Sequence, residues 1–137
     1  MILQKSQFVS YMAGMLDFLR YPLCFLVLFF GANGIWHFFP VPPQPAAAES
    51  FRNALLETGY MLPFWKGAEL IGALLLLSRR SVPLGLLILA PVLLNIFFFH
   101  LFLSPKGIPL AFLMIFLSLL IAWKYRQAYK SIFYHQD

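Results

Sequence analysis

Apolar residues run along this chain in four long blocks, at positions 21–39, 61–78, 82–103 and 108–123, separated by short polar or proline-rich breaks. Roughly 20 consecutive apolar residues cross the ~30 Å hydrocarbon core of a bilayer as a helix, so each block is predicted to be a membrane span. Proline sits near the start of two of them: Pro63 and Pro83 fall in first turns, where the missing N–H is not needed. Pro91 lies inside the third block and should kink it. Arg79-Arg80-Ser81 and Ser104-Pro105-Lys106-Gly107 form the tight turns between the later blocks. Four spans joined by short turns predict an all-α, transmembrane four-helix bundle.

Two segments outside the blocks carry weaker helical periodicity. Residues 1–20 place Phe8, Val9, Met12, Met15, Leu16 and Leu19 at helical spacing, with Gln4, Lys5, Gln7 and Asp17 elsewhere. This predicts an amphipathic helix on the membrane surface or leading into the first span. The leader carries an acid and its apolar run exceeds a signal-peptide core, so it is expected to stay attached. After the first span, Pro40-Val41-Pro42-Pro43-Gln44-Pro45 cannot continue a helix and reads as a stiff connector. Residues 46–58 then spread Ala47, Phe51, Ala54 and Leu55 against Glu49, Arg52, Asn53 and Glu57, and Gly59 offers a helix stop. An interfacial helix is expected in this long first connection, and long connections often act as lids.

Composition agrees with the pattern. Of 137 residues, 61% are hydrophobic and only 11% charged, against about 25% charged in ordinary soluble domains. The net charge of +5 would suggest nucleic acid in a soluble protein, but basic residues also gather at the ends of membrane spans. No nucleic-acid partner is expected; membrane lipid is. With an even number of spans, Lys5, Arg20, Arg79, Arg80, Lys124, Arg126 and Lys130 share one side, leaving Arg52, Lys66 and Lys106 for the other. The excess of basic residues on the first side predicts cytoplasmic termini. Cys24 is the single cysteine, which rules out an intramolecular disulfide and a two-cysteine redox centre.

The polar residues inside the blocks are the candidate chemistry. Lys66 and Glu69 stand three apart on one helical face, and an ionisable residue in a membrane span normally faces a partner or a cavity. At 1.5 Å per residue, Asn33, Lys66 and Asn95 lie about 20 Å from the arginines at the cytoplasmic ends, Glu69 about 15 Å, and His37 and His100 about 25–30 Å. Three spans therefore bring polar groups to the outer half of the bilayer, and the fourth contributes only Ser118. Asn33 and His37, four apart, share a face, whereas Asn95 and His100, five apart, diverge by about 140°. Gly31, Gly34, Gly67 and Gly72 are expected where helices pack closely.

The stretches Phe30-Gly31-Ala32-Asn33-Gly34-Ile35-Trp36-His37-Phe38-Phe39-Pro40, Lys66-Gly67-Ala68-Glu69-Leu70-Ile71-Gly72 and Ala90-Pro91-Val92-Leu93-Leu94-Asn95-Ile96-Phe97-Phe98-Phe99-His100 resemble the DoxX family of small four-span bacterial membrane proteins. The resemblance covers about residues 20–130. It implies a cytoplasmic (inner) membrane location; members are linked to thiosulfate:quinone oxidoreduction, to a membrane oxidoreductase complex and, in distant animal relatives, to receptor-assembly chaperoning.

Three functional classes remain open on the sequence. The first is a redox-associated subunit binding a quinone-like or other apolar ligand in an outer-leaflet cavity formed by Asn33, His37, Lys66, Glu69, Asn95 and His100, with a partner oxidoreductase. The second is a haem or metal site on His37 and His100, for which no HxxxH or HxxE spacing speaks. The third is a non-catalytic scaffold or assembly factor whose polar layer stabilises the bundle. Proton transfer on a lipid by Glu69 and a histidine is chemically conceivable, but no motif selects it. No catalytic residue is assigned.

Overall fold

The computed structural model describes residues 2–133, and within them the side chains of residues 6–130. Position 1 of the leader, positions 134–137 of the tail and the side chain of Lys5 lie outside the described residues. Seven α-helices follow one another: α1 (Ile2–Phe18), α2 (Arg20–Trp36), α3 (Ala46–Glu57), α4 (Met61–Leu75), α5 (Val82–Phe102), α6 (Ile108–Lys124) and α7 (Arg126–Phe133), with one 3-10 turn at Pro105–Gly107. No strand occurs among the described residues.

Three stretches are long and apolar enough to cross a membrane: Ser6–Trp36, Val82–Phe102 and Pro105–Lys124. The first joins α1 to α2. Helical hydrogen bonds continue through the junction, from Leu19 N to the Met15 carbonyl and from Leu23 N to the Leu19 carbonyl, both 3.3 Å. The leader thus runs on directly into α2. Its residues 6–15 are exposed all round, with no apolar stripe turned onto the rest of the protein.

Helices α2, α4, α5 and α6 pack in cyclic order, each touching the next. Their shared core holds Leu23, Cys24 and Val27 of α2, Ala73 and Leu76 near the end of α4, Leu86, Leu89 and Leu93 of α5, and Met114, Leu117 and Ile121 of α6. Cys24 is buried there and its thiol donates to the Ala73 carbonyl at 3.1 Å. The α4–α5 seam closes on two glycines. A Cβ on Gly85 would lie 2.8 Å from the Gly72 carbonyl oxygen, and one on Gly72 would lie 2.6 Å from Leu89 Cγ. Only the absence of side chains lets these backbones approach so closely. Gly67, expected at a packing seam, has nothing within 4 Å of where a Cβ would stand.

The helix ends differ from the hydrophobic blocks because side chains, not hydropathy, stop them. Helix α2 ends at Trp36, three residues short of its block. His37 turns left-handed (φ 50°), and the Asn33 side chain clamps the returning backbone by accepting from Phe39 N at 2.7 Å and donating to Phe39 O at 3.1 Å. Helix α4 has 15 residues, about 22 Å of rise, and stops before Ser78. Its terminal carbonyls are taken: Ser81 Oγ donates to Leu75 O at 2.7 Å, and Arg20 Nη1 donates to Leu76 O and Leu77 O at 2.9 and 2.8 Å. A cation on these orphan carbonyls also faces the negative end of the helix dipole. The segment after α6 forms a further helix, α7.

The long first connection folds back over the bundle. Helix α3 covers the expected residues within one position, Thr58 caps the turn after it, and Gly59 adopts φ 74°. Ser104 Oγ donates to Gln44 Oε1 at 2.5 Å, and Phe51 meets Phe99 with ring centroids 5.8 Å apart. The proline-rich connector is thereby tied to the α5–α6 turn.

Candidate functional site

Lys66 and Glu69 occupy consecutive turns of α4, as their spacing predicts. Lys66 Nζ donates to Glu69 Oε2 at 2.8 Å and to Oε1 at 3.0 Å. Glu69 is 3% exposed, while the Lys66 side chain keeps 18% of its surface open. The opposing wall is α2, and it is made of glycine: a Cβ on Gly31 would lie 2.9 Å from Glu69 Oε2, and one on Gly34 would lie 2.5 Å from Lys66 Cε. Two glycines one turn apart thus make the groove in which the pair lies. The arrangement holds a charge pair whose carboxylate is buried and whose lysine side chain keeps part of its surface open. An ammonium has three N–H donors, and at most two are used by Glu69.

The other four candidates are not drawn into this groove. Asn33 is buried, but its amide is spent on the Phe39 backbone. His37 is exposed beyond the end of α2. Asn95 is half-buried on α5 and makes no hydrogen bond among the described residues. The His100 imidazole turns over Gly107, with Nδ1 3.0 Å from the Ser104 carbonyl oxygen, and so belongs to the α5–α6 turn. No cluster of three His, Cys, Asp or Glu side chains suited to a metal ion occurs among the described residues.

A second charged site, absent from the sequence-based set, lies at the opposite end of the helices. Asp17, 4% exposed, pairs with Arg79 Nε at 2.8 Å and Lys124 Nζ at 3.3 Å, accepts from the Tyr125 hydroxyl at 2.6 Å, and lies 3.7 Å from Arg20 Nε, which makes no hydrogen bond among the described residues. The Arg20 guanidinium is buried with it, donates to the Tyr21 hydroxyl at 2.6 Å and caps α4. Lys124 also donates to the Ala13 carbonyl at 2.7 Å. Burial, and then the hydrogen bond to the Asp17 carboxylate, push the Tyr125 phenol up to about 12. The signal was present in the sequence: Asp17 and Arg20 have the same three-residue spacing as Lys66 and Glu69.

The molecule is, by class, an all-helical protein with three helices suited to cross a membrane. No protein-family model, curated protein or solved structure matches the chain.

Proposed function

We propose that this chain is a DoxX-like integral protein of a bacterial cytoplasmic membrane, with α2, α4, α5 and α6 as a transmembrane four-helix bundle and both termini cytoplasmic. In it, the Lys66–Glu69 groove binds the polar head of a quinone-like or other apolar ligand for a partner oxidoreductase. The short α4 is accommodated because its C-terminal end is capped by Arg20 and Ser81, and short spans are tolerated by snorkelling and local thinning.

One observation carries the ligand reading. Glu69 is buried with its partner on its own helix, facing glycines instead of a helix it could cross-link. A buried ion pair is a poor source of stability compared with apolar packing, and intramembrane ionisable groups commonly serve ligands or protons. In this reading Lys66 Nζ donates to a ligand carbonyl while Glu69 holds the lysine side chain in place. The ligand site is narrower than six residues: Asn33 and His100 are engaged in their own turns, so they shape the outer end instead of contacting the head group.

A second reading, a non-catalytic scaffold, is favoured by that same engagement of Asn33 and His100. The two readings separate in one experiment. Purified protein in detergent is titrated with a short-chain ubiquinone, following quinone absorbance and Trp65 fluorescence, for the native chain and for Lys66→Met and Glu69→Gln. Saturable binding lost in both variants, with helical circular dichroism unchanged, supports the ligand site. No saturable binding by the native chain, or binding untouched by both changes, sinks it and leaves the scaffold.

A further inference from the structure

The exposed surface of α6 changes character along its length. Phe112, Phe116, Leu119 and Trp123 follow at four- and three-residue steps and are all exposed, so they form one ridge on one side of the helix. The Phe112 and Phe116 rings lie nearly parallel, 9° apart. From Phe112 to Trp123 the ridge rises about 16 Å, about half of a ~30 Å hydrocarbon core. At its top the chain breaks at Tyr125 and re-enters a helix as α7. There the Arg126 guanidinium lies 5.1 Å over the Trp123 ring and donates to the Trp123 carbonyl at 3.0 Å. Lys130 follows one turn later on the same face of α7. That face is held outward because Tyr129 anchors α7 to the bundle, donating to the Pro83 carbonyl at 3.1 Å.

The charge at this end is one-sided. Asp17 takes up Arg20, Arg79 and Lys124, whereas Arg80, Arg126 and Lys130 are exposed with no carboxylate partner among the described residues. An occupant must therefore be anionic at the α7 end and apolar along the α6 ridge. A free anion satisfies only the first condition, and a neutral lipid only the second. We propose that α6 and α7 form a binding lane for an anionic phospholipid: Arg126 and Lys130 take the phosphate, Trp123 sits at the glycerol level, and Leu119, Phe116 and Phe112 carry an acyl chain. This rests on the membrane reading above and is independent of the Lys66–Glu69 ligand. Juxtamembrane cations attract anionic headgroups in this way, and the guanidinium adds a forked donor that fits phosphate.

The test uses Trp123 as its own reporter. The full-length chain carrying Trp36→Phe and Trp65→Phe is reconstituted into phosphatidylcholine vesicles containing equal mole fractions of either dibrominated phosphatidylglycerol or dibrominated phosphatidylcholine. Bromine quenches an indole in contact with the acyl chain. Relative lipid affinity at Trp123 should favour phosphatidylglycerol several-fold, falling about fivefold for each cation removed in Arg126→Gln and Lys130→Gln, and weakening in high salt. Quenching by brominated phosphatidylcholine serves as the folding and insertion control for those variants. Equal quenching by the two lipids in the native sequence, or a preference that survives the double substitution, overturns the lane while leaving the membrane reading intact. Absence of quenching by either lipid overturns both.

Discussion

Two buried carboxylates, Asp17 and Glu69, invite comparison because they begin from the same local chemistry. Each is almost fully buried and each has a cation three residues away on its own stretch of helix. They then diverge. Asp17 gathers partners from three parts of the chain: Arg20 beside it, Arg79 in the α4–α5 turn, and Lys124 with Tyr125 at the end of α6. Glu69 is bonded by Lys66 and the Trp65 side chain, both on its own helix, and the helix across from it offers glycines. The first site is a staple joining chain segments far apart in sequence. The second cross-links nothing, so its burial asks for another reason, and ligand binding supplies one.

The sharpest way to break this comparison is to neutralise the two acids in turn. Asp17→Asn strips the charge that balances buried Arg20 and loosens the cap on α4. Removing one partner of a buried pair costs about 3–5 kcal/mol, and the unfolding transition in detergent should fall accordingly. Glu69→Gln should cost less, about 1–3 kcal/mol, because Lys66 is long and already partly open and can swing its ammonium outward. The double change Lys66→Met with Glu69→Leu should restore most of that loss, as apolar replacements of buried pairs often do. Equal losses at the two acids would mean that Glu69 is a structural staple as well, and would favour the scaffold.

The contrast also shows what the sequence made legible. Hydrophobic runs located α2, α4, α5 and α6, because apolar length is a local property. The stops were not legible: α2 ends where Asn33 turns to clamp Phe39, and α4 ends where Arg20, fifty-odd positions away, reaches its carbonyls. Lys66–Glu69 was visible because two charges interrupt an apolar run. Asp17–Arg20 had the same spacing but sat at the end of an amphipathic leader, where charges are expected and attract no notice. Its remaining partners depend on how α6 and the α4–α5 turn come together, which no local pattern encodes. For a related reason the depth of His100 could be counted, but its hydrogen bond with the Ser104 carbonyl could not.

Glycine substitutions sharpen the comparison of the two walls at smaller cost. Gly85→Ala drives a methyl into the Gly72 carbonyl, a backbone atom that cannot move aside alone, and overpacking of that kind costs about 1–3 kcal/mol. Gly34→Ala meets only the flexible end of Lys66. It should leave stability nearly unchanged while displacing the ammonium, so quinone affinity should fall without a matching fall in the unfolding temperature. Gly67→Ala meets nothing and should stabilise α4 by up to about 1 kcal/mol through helix propensity. Thermal unfolding of the three variants side by side, with quinone titration of Gly34→Ala, checks the set.

The smallest effect lies in alkali, and it probes the Asp17 staple alone. Tyr125 ionises near 10 when unfolded and at about 12 in the folded protein, raised by burial and by its bond to Asp17. A raised folded value means that the folded state favours the neutral phenol. Its contribution is therefore complete below pH 10 and is lost as pH rises through 12. The stability advantage of the native chain over Tyr125→Phe should shrink across that window, measured as paired unfolding midpoints so that lysine titration common to both cancels. Ultraviolet titration of the phenolate should place one tyrosine near 12 in the native chain, and Asp17→Asn should lower it by removing the charge that opposes ionisation. Glu69→Gln, at the other end of the helices, should leave that titration where it was; a shift there would show that the two charged ends are coupled through the bundle and are not the separate sites described above.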